Sequence, residues 1–222
     1  GMGRDYYQKD NKENTEALQK YQDYVMAIFK VLKDDKAAEK AKQMVDFERS
    51  IAKLMLTNEE DRNPNLSYNP QTMAELSKLV KNINLPQLLK NVGVNTDKVV
   101  VSEIRLYKQY DKFINEKNLP LIKDYLKYQL VADNASNLTK ELDELSFNFY
   151  SKELQGQQEQ RPMNKRALSV INGILGEAFG KLYVEKYFPP KAKEEMVTLV
   201  DYLKKSFAQH IKDVTWMSDA TK

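Results

Sequence analysis

Residues 18–32 have the sequence LQKYQDYVMAIFKVL, and the order of apolar and polar side chains in this stretch decides the fold class. Its apolar residues recur at steps of three and four positions, at Leu18, Tyr21, Val25, Ile28 and Leu32. Because an α-helix has about 3.6 residues per turn, this spacing places them on one face of a helix. The stretch therefore predicts an amphipathic helix whose apolar face lies in a core.

The segment that follows has the same pattern. Asp34 or Asp35 can cap a second helix, because a short acidic side chain accepts hydrogen bonds from the first free backbone N–H groups. The apolar residues of that helix again form one stripe: Ala41, Met44, Phe47, Ile51 and Leu54. Residues 11–56 therefore predict a helical hairpin.

Helical spacing continues along most of the remaining chain. We expect one helix to start at Pro70 behind Asn69 as its cap, and another to span about residues 138–154. Two long helices follow, separated by Pro189-Pro190. Their apolar positions are Leu168, Ile171, Leu175, Phe179 and Leu182 in the first, and Met196, Val200, Leu203, Phe207, Ile211 and Val214 in the second.

Only Val92–Val101 favours extended structure, because three β-branched valines lie side by side at its end. One short strand cannot build a sheet. We therefore expect an all-α fold, namely a multi-helix domain with long amphipathic helices and at most one short extended segment. We expect residues 1–222 to form a single domain.

Composition excludes several classes of protein. The chain has 35 Lys and Arg against 32 Asp and Glu, and the basic residues are scattered among acidic ones, so no concentrated basic footprint for nucleic acid exists. There is no Cys, which excludes disulfides and thiol nucleophiles. No apolar run is long enough for a membrane span, and the N-terminal residues lack the pattern of a signal peptide.

The sequence offers no catalytic, metal-binding or cofactor-binding residues. A zinc peptidase motif needs two His one helical turn apart with a Glu between them, and His210 is the only His. Paired carboxylates such as Glu59-Glu60 are typical of solvated helix faces. No glycine-rich phosphate loop occurs, because Gly173, Gly176 and Gly180 lie inside a helical pattern.

These three glycines and a group of basic residues nevertheless predict contacts. The glycines share one side of the helix, which predicts close packing of another backbone against them. Arg161, Lys165 and Arg166 lie near the start of the same helix, where the helix dipole disfavours positive charge. We expect these basic residues to have acidic partners.

Several short motifs, in a fixed order, resemble those of one known family. They are Gly3-Arg4-Asp5-Tyr6-Tyr7, Val99-Val100-Val101, Asp124-Tyr125-Leu126, Phe147-Asn148-Phe149-Tyr150, Glu159-Gln160-Arg161-Pro162, Val170-Ile171-Asn172-Gly173, Gly176-Glu177-Ala178, Leu182-Tyr183-Val184-Glu185, Tyr187-Phe188-Pro189 and Trp216-Met217. Together they resemble neprilysin, endothelin-converting enzyme and their bacterial relatives, and the resemblance covers essentially the whole chain. The absence of Cys suggests a bacterial-type member.

The resemblance implies a function for the chain as part of a larger enzyme. It implies a non-catalytic helical lid that encloses peptides of limited size, while a downstream catalytic domain, the chain's expected partner, carries the zinc. We therefore expect a fragment of an exported zinc endopeptidase, periplasmic or at the cell surface, with peptide substrates and no zinc in this part. The candidate interface or structural residues are Arg4, Tyr7, Arg161, Arg166 and Glu177.

A second hypothesis comes from a different class of protein. A stand-alone helical binding or scaffold module could recruit another protein through a groove between amphipathic helices. The lid hypothesis makes a specific structural prediction. The chain should expose an apolar surface that contains tyrosines and that a missing partner covers.

Overall fold

A computed structural model describes residues 1–222 and confirms the all-α class. The contacts divide the chain into two compact units, Gly1–Glu159 and Gln160–Lys222. The expectation of a single domain over residues 1–222 stays a prediction. In none of the helices does apolar character extend over the length that a bilayer crossing requires.

The predicted hairpin forms the centre of the first unit. Helix α2 spans Lys12–Val31 and helix α3 spans Ala37–Ala52. The chain turns between them through Lys33, whose φ of 57° lies in the left-handed region that commonly ends a helix. The predicted cap is wrong in detail: Lys36 occupies the N-cap position of α3, and the Asp34 carboxylate accepts a hydrogen bond from its backbone N–H at 3.0 Å.

Shorter helices surround this hairpin. They are α1 Arg4–Gln8, α4 Asn58–Asp61, α5 Pro64–Ser67, α6 Met73–Leu79, α7 Leu85–Asn91, α8 Ile104–Tyr107, α9 Tyr110–Phe113, α10 Leu119–Asp133 and α11 Lys140–Ser146. Two 3₁₀ turns flank α10, at Glu116–Asn118 and Ala135–Asn137. The chain leaves α11 directly into a π-helical segment, Phe147–Glu153.

Two short strands correct the expectation of at most one extended segment. Strand β1 spans Pro70–Thr72 and pairs antiparallel with strand β2, Lys98–Val100. The predicted helix start at Pro70 is therefore wrong. Helix α6 begins after Thr72 instead, because Thr72 and Glu75 form a capping box in which each side chain binds the other residue's backbone N–H.

Aromatic rings from α2, α10 and the π-helical segment fill the core of the first unit. Phe149 is only 4% exposed and stacks on Tyr24 with ring centroids 5.1 Å apart. Tyr150 meets the same ring edge-on at 5.5 Å, so two consecutive residues both contact α2. Both residues belong to the π-helical segment, and their rings also meet each other at 4.8 Å.

The second unit consists mainly of two long helices. Helix α12 spans Met163–Tyr187 and helix α13 spans Pro190–Asp213, so Pro190 starts the second helix as its position in the sequence predicts. Leu175 has φ −119° and ψ 20°, which marks a kink within α12. Neither helix contains a buried residue, although both carry the predicted apolar stripes.

Candidate functional site

Tyr7, one of the five candidate residues, belongs to a buried hydrogen-bond network of the first unit. Its hydroxyl donates to Glu48 Oε2 at 2.7 Å, and the Tyr21 hydroxyl donates to Glu48 Oε1 at 3.1 Å. Burial raises the pKa of the Tyr7 hydroxyl, and the negative charge of Glu48 raises it further. Both tyrosines therefore stay neutral donors, and the network joins α1, α2 and α3 structurally.

Sequence reasoning missed Glu48, the acceptor at the centre of this network. The only signal was a carboxylate on the apolar stripe of α3, four residues after Met44 and four before Ala52. Glu48 is 7% exposed, and such a buried carboxylate needs hydrogen-bond donors. Those donors come from α1 and α2, which no spacing rule within α3 reveals.

Glu48→Ala is expected to lower the free energy of unfolding by about 2–4 kcal/mol, because it leaves the buried hydroxyls of Tyr7 and Tyr21 without their acceptor. Tyr7→Phe removes one hydroxyl and is expected to cost roughly 1 kcal/mol. Urea denaturation of the 222-residue chain measures both. Equal costs for the two variants would contradict a central role for Glu48.

Arg4, the second candidate in the first unit, also has a structural position. Its Nε donates to the Met55 carbonyl at 3.2 Å, just beyond the C-terminal end of α3. Arg105 donates to the same carbonyl at 3.1 Å and pairs with Glu60. Arg4 therefore helps to satisfy a carbonyl group that follows the helix end.

The second unit presents the chain's largest group of exposed apolar side chains. We name the exposed apolar residues of α12 and α13 the docking surface. Its members are Met163, Leu168, Val170, Ile171, Ile174, Leu175, Phe179, Leu182, Tyr183, Val184, Tyr187, Met196, Val197, Leu199, Val200, Tyr202, Leu203 and Phe207. Ile174 is 76% exposed, and Trp216, just beyond α13, is 77% exposed. The predicted apolar, tyrosine-containing surface is confirmed.

The glycines of α12 correct another expectation. A Cβ atom built at Gly173, Gly176 or Gly180 meets nothing within 4 Å, so no other backbone packs closely against them. The prediction of close packing within this chain is therefore wrong. The glycines thus leave an open strip along α12.

The remaining candidates lie on the second unit. Arg161 donates to the Ser169 hydroxyl at 3.3 Å, where an acidic partner was expected. Arg166 is partly buried near the start of α12. Glu177 is exposed in the middle of that helix. The roles of these residues as interface contacts stay predictions.

The residues of this chain do not fit a zinc site. No group of three or more His, Cys, Asp or Glu side chains is placed to hold a metal ion. His210 lies in the last turn of α13 without a second His beside it. The chemistry that the geometry supports is thus association through an apolar surface.

Comparison with known proteins gives a consistent result. The model for the N-terminal part of peptidase family M13 matches residues 1–222. Neprilysin-11 of Caenorhabditis elegans is 24% identical over 99% of the chain and 28% of its own length. The neutral endopeptidase of Lactococcus lactis is 28% identical over 97% of the chain and 34% of its own length.

Solved structures extend the comparison to three dimensions. The zinc metalloprotease ZMP1 of Mycobacterium tuberculosis in complex with an inhibitor matches with a TM-score of 0.82 and 25% identity, over 100% of this chain and 34% of that one. The same protease in an open state matches with a TM-score of 0.80 and 25% identity, over 99% and 34% of the two chains. The chain thus spans about a third of the length of these relatives.

Proposed function

Because the chain belongs to peptidase family M13, we propose that it is the helical lid of a zinc metalloendopeptidase and encloses peptides that a separate catalytic domain cleaves. The observation that carries this proposal is the docking surface. Large groups of exposed apolar side chains mark sites of interaction with a partner. The occupant that we propose is the catalytic part of the same protein.

The lengths of the relatives support the proposal that the catalytic part of the same protein covers the docking surface. The relatives are roughly three times as long as this chain, so their remaining residues can supply a partner that is always present at equal concentration. Contacts within one protein also avoid most of the entropy that association of separate molecules costs. A surface of two long helices suits such a permanent contact.

Restriction of substrate size is the finer part of the proposal. ZMP1 has been solved in an open state as well as with an inhibitor. By analogy, we propose that the lid closes over the catalytic domain and admits only short peptides. Zinc, held outside this chain, would polarise the scissile carbonyl and activate water. Following the resemblance, we place the full-length enzyme in the periplasm or at the cell surface.

Comparing peptide hydrolysis by the 222-residue chain and by the full-length protein tests the proposal. We expect the full-length protein to bind about one zinc ion and to cleave short peptides, with activity lost on chelation and restored by zinc. We expect no turnover by the shorter chain. On a series of peptides of increasing length, cleavage should fall sharply beyond a limiting size.

Other outcomes would redirect the proposal. Equal cleavage of long and short peptides would contradict the lid function while leaving the peptidase intact. If the gene encodes no further domain, or if the full-length protein is inactive, the docking surface would instead suit a stand-alone binding module.

A further inference from the structure

The middle of α12 has an unusual composition for an exposed helix. Residues 167–180 have the sequence ALSVINGILGEAFG, in which Glu177 is the only charged residue. Apolar side chains occupy roughly half of the circumference, and the three glycines lie on the opposite side together with Ser169 and Asn172. The stretch therefore has no charged face that would favour its exposure to water. A helix whose exposed surface is apolar over so wide an arc normally packs that side against another element.

The structure leaves this stretch uncovered on both sides. Ile174 and Leu175 are exposed on the apolar side, and the space over Gly173, Gly176 and Gly180 is open. The proposed catalytic partner therefore covers the apolar side of α12. Beyond the kink at Leu175, Glu177 lies between Gly180 and Ala178 around the helix, at the edge of the apolar side, so a cover that reaches this edge removes its carboxylate from water.

A carboxylate in that position needs a partner. Burying an unpaired carboxylate costs several kcal/mol, so buried charges in proteins are paired or hydrogen-bonded. Glu177 is exposed here, and no hydrogen bond or ion pair engages it. Lys181 follows one helical turn later, but its ammonium group forms no ion pair with the Glu177 carboxylate.

We infer that the part of the full-length protein that covers α12 places a cationic side chain, an arginine or a lysine, against Glu177. This inference rests on the proposed function, because it requires the catalytic part to be the occupant. The ion pair would fix the register of α12 against its cover, since apolar contacts alone are non-directional. Glu177 would then act as a positioning residue for the closed interface.

Charge reversal in proteins of two lengths tests the inference. In the full-length protein we expect Glu177→Lys to lower Tm by about 2–4 °C, because two cations would meet in a buried site. Glu177→Gln keeps the shape and should lower Tm by about half as much. In the 222-residue chain both variants should leave Tm within about 1 °C, because Glu177 is exposed there.

Glu194 provides a matched control. It lies on the side of α13 opposite Met196, Val200 and Leu203, so a cover on the apolar side leaves it in water. Glu194→Lys and Glu194→Gln should leave Tm of the full-length protein unchanged. Equal effects at Glu177 and Glu194 would overturn the inference.

One further variant distinguishes two possible partners of Glu177, a residue of α12 itself and a residue of the part that covers α12. If Lys181→Gln lowers Tm of the full-length protein as much as Glu177→Gln, the partner is Lys181 and the inference fails. Failure of the inference is also distinct from failure of the proposed function. If Ile174→Lys impairs the full-length protein while the Glu177 variants do not, the docking surface is right and only the ion pair is wrong.

Discussion

Ile174→Lys is expected to reduce peptide hydrolysis by the full-length protein more than 100-fold. Ile174 is the most exposed apolar residue of α12 and lies near the middle of that helix. A lysine there would place an unpaired charge in an apolar contact, at a cost of several kcal/mol, and each 1.4 kcal/mol changes an equilibrium about tenfold. Steady-state hydrolysis of a short peptide measures the effect.

Two controls make this result specific. Lysine is a better helix former than isoleucine, so Ile174→Lys should leave the helicity and Tm of the 222-residue chain unchanged. Ile174→Leu keeps an apolar side chain of equal volume and should lose far less activity than Ile174→Lys. Full activity of Ile174→Lys would mean that this face of α12 stays in water in the intact protein.

Phe149→Ala is expected to lower the free energy of unfolding of the first unit by about 3–5 kcal/mol. Phe149 contacts Tyr21 at 5.6 Å and Tyr24 at 5.1 Å between ring centroids, and it touches Tyr150 at 4.8 Å. Removing the ring leaves a cavity where the π-helical segment packs on α2, and the surrounding helices relax only partially. Urea denaturation followed by circular dichroism measures the loss.

Phe147→Ala is the matched control for this substitution. Phe147 begins the same π-helical segment but is only partly buried. The same change should therefore cost less than half as much. Equal costs would indicate that the substitutions act by disrupting the π-helical segment and that the aromatic cluster contributes little of its own.

The helices were predictable from the sequence where the pattern is local. The stripes of α2, α3 and α13 repeat at helical spacing over many residues, so each helix carries its own signal. The resemblance to neprilysin and its relatives is confirmed for the same reason, since ordered motifs are read along the chain. The apolar stripes of α12 and α13 were predicted in the same way, and in the structure they are exposed.

Features that depend on distant contacts were not predictable. Strand β1 forms only because β2 lies beside it, and the two are separated by α6 and α7 in the sequence. The π-helical segment depends on α2, against which Phe149 and Tyr150 both pack. Likewise, the role of Glu48 depends on Tyr7, a neighbour from a different helix.

The exposed position of Trp216 gives the second unit a built-in optical reporter. It is the only tryptophan of the chain, so its fluorescence can be excited apart from that of the 13 tyrosines. An indole in contact with water emits at long wavelength and is quenched by dissolved iodide. If a partner covers this end of the second unit, the emission should shift to the blue and resist the quencher. Association could thus be followed in solution without any attached dye.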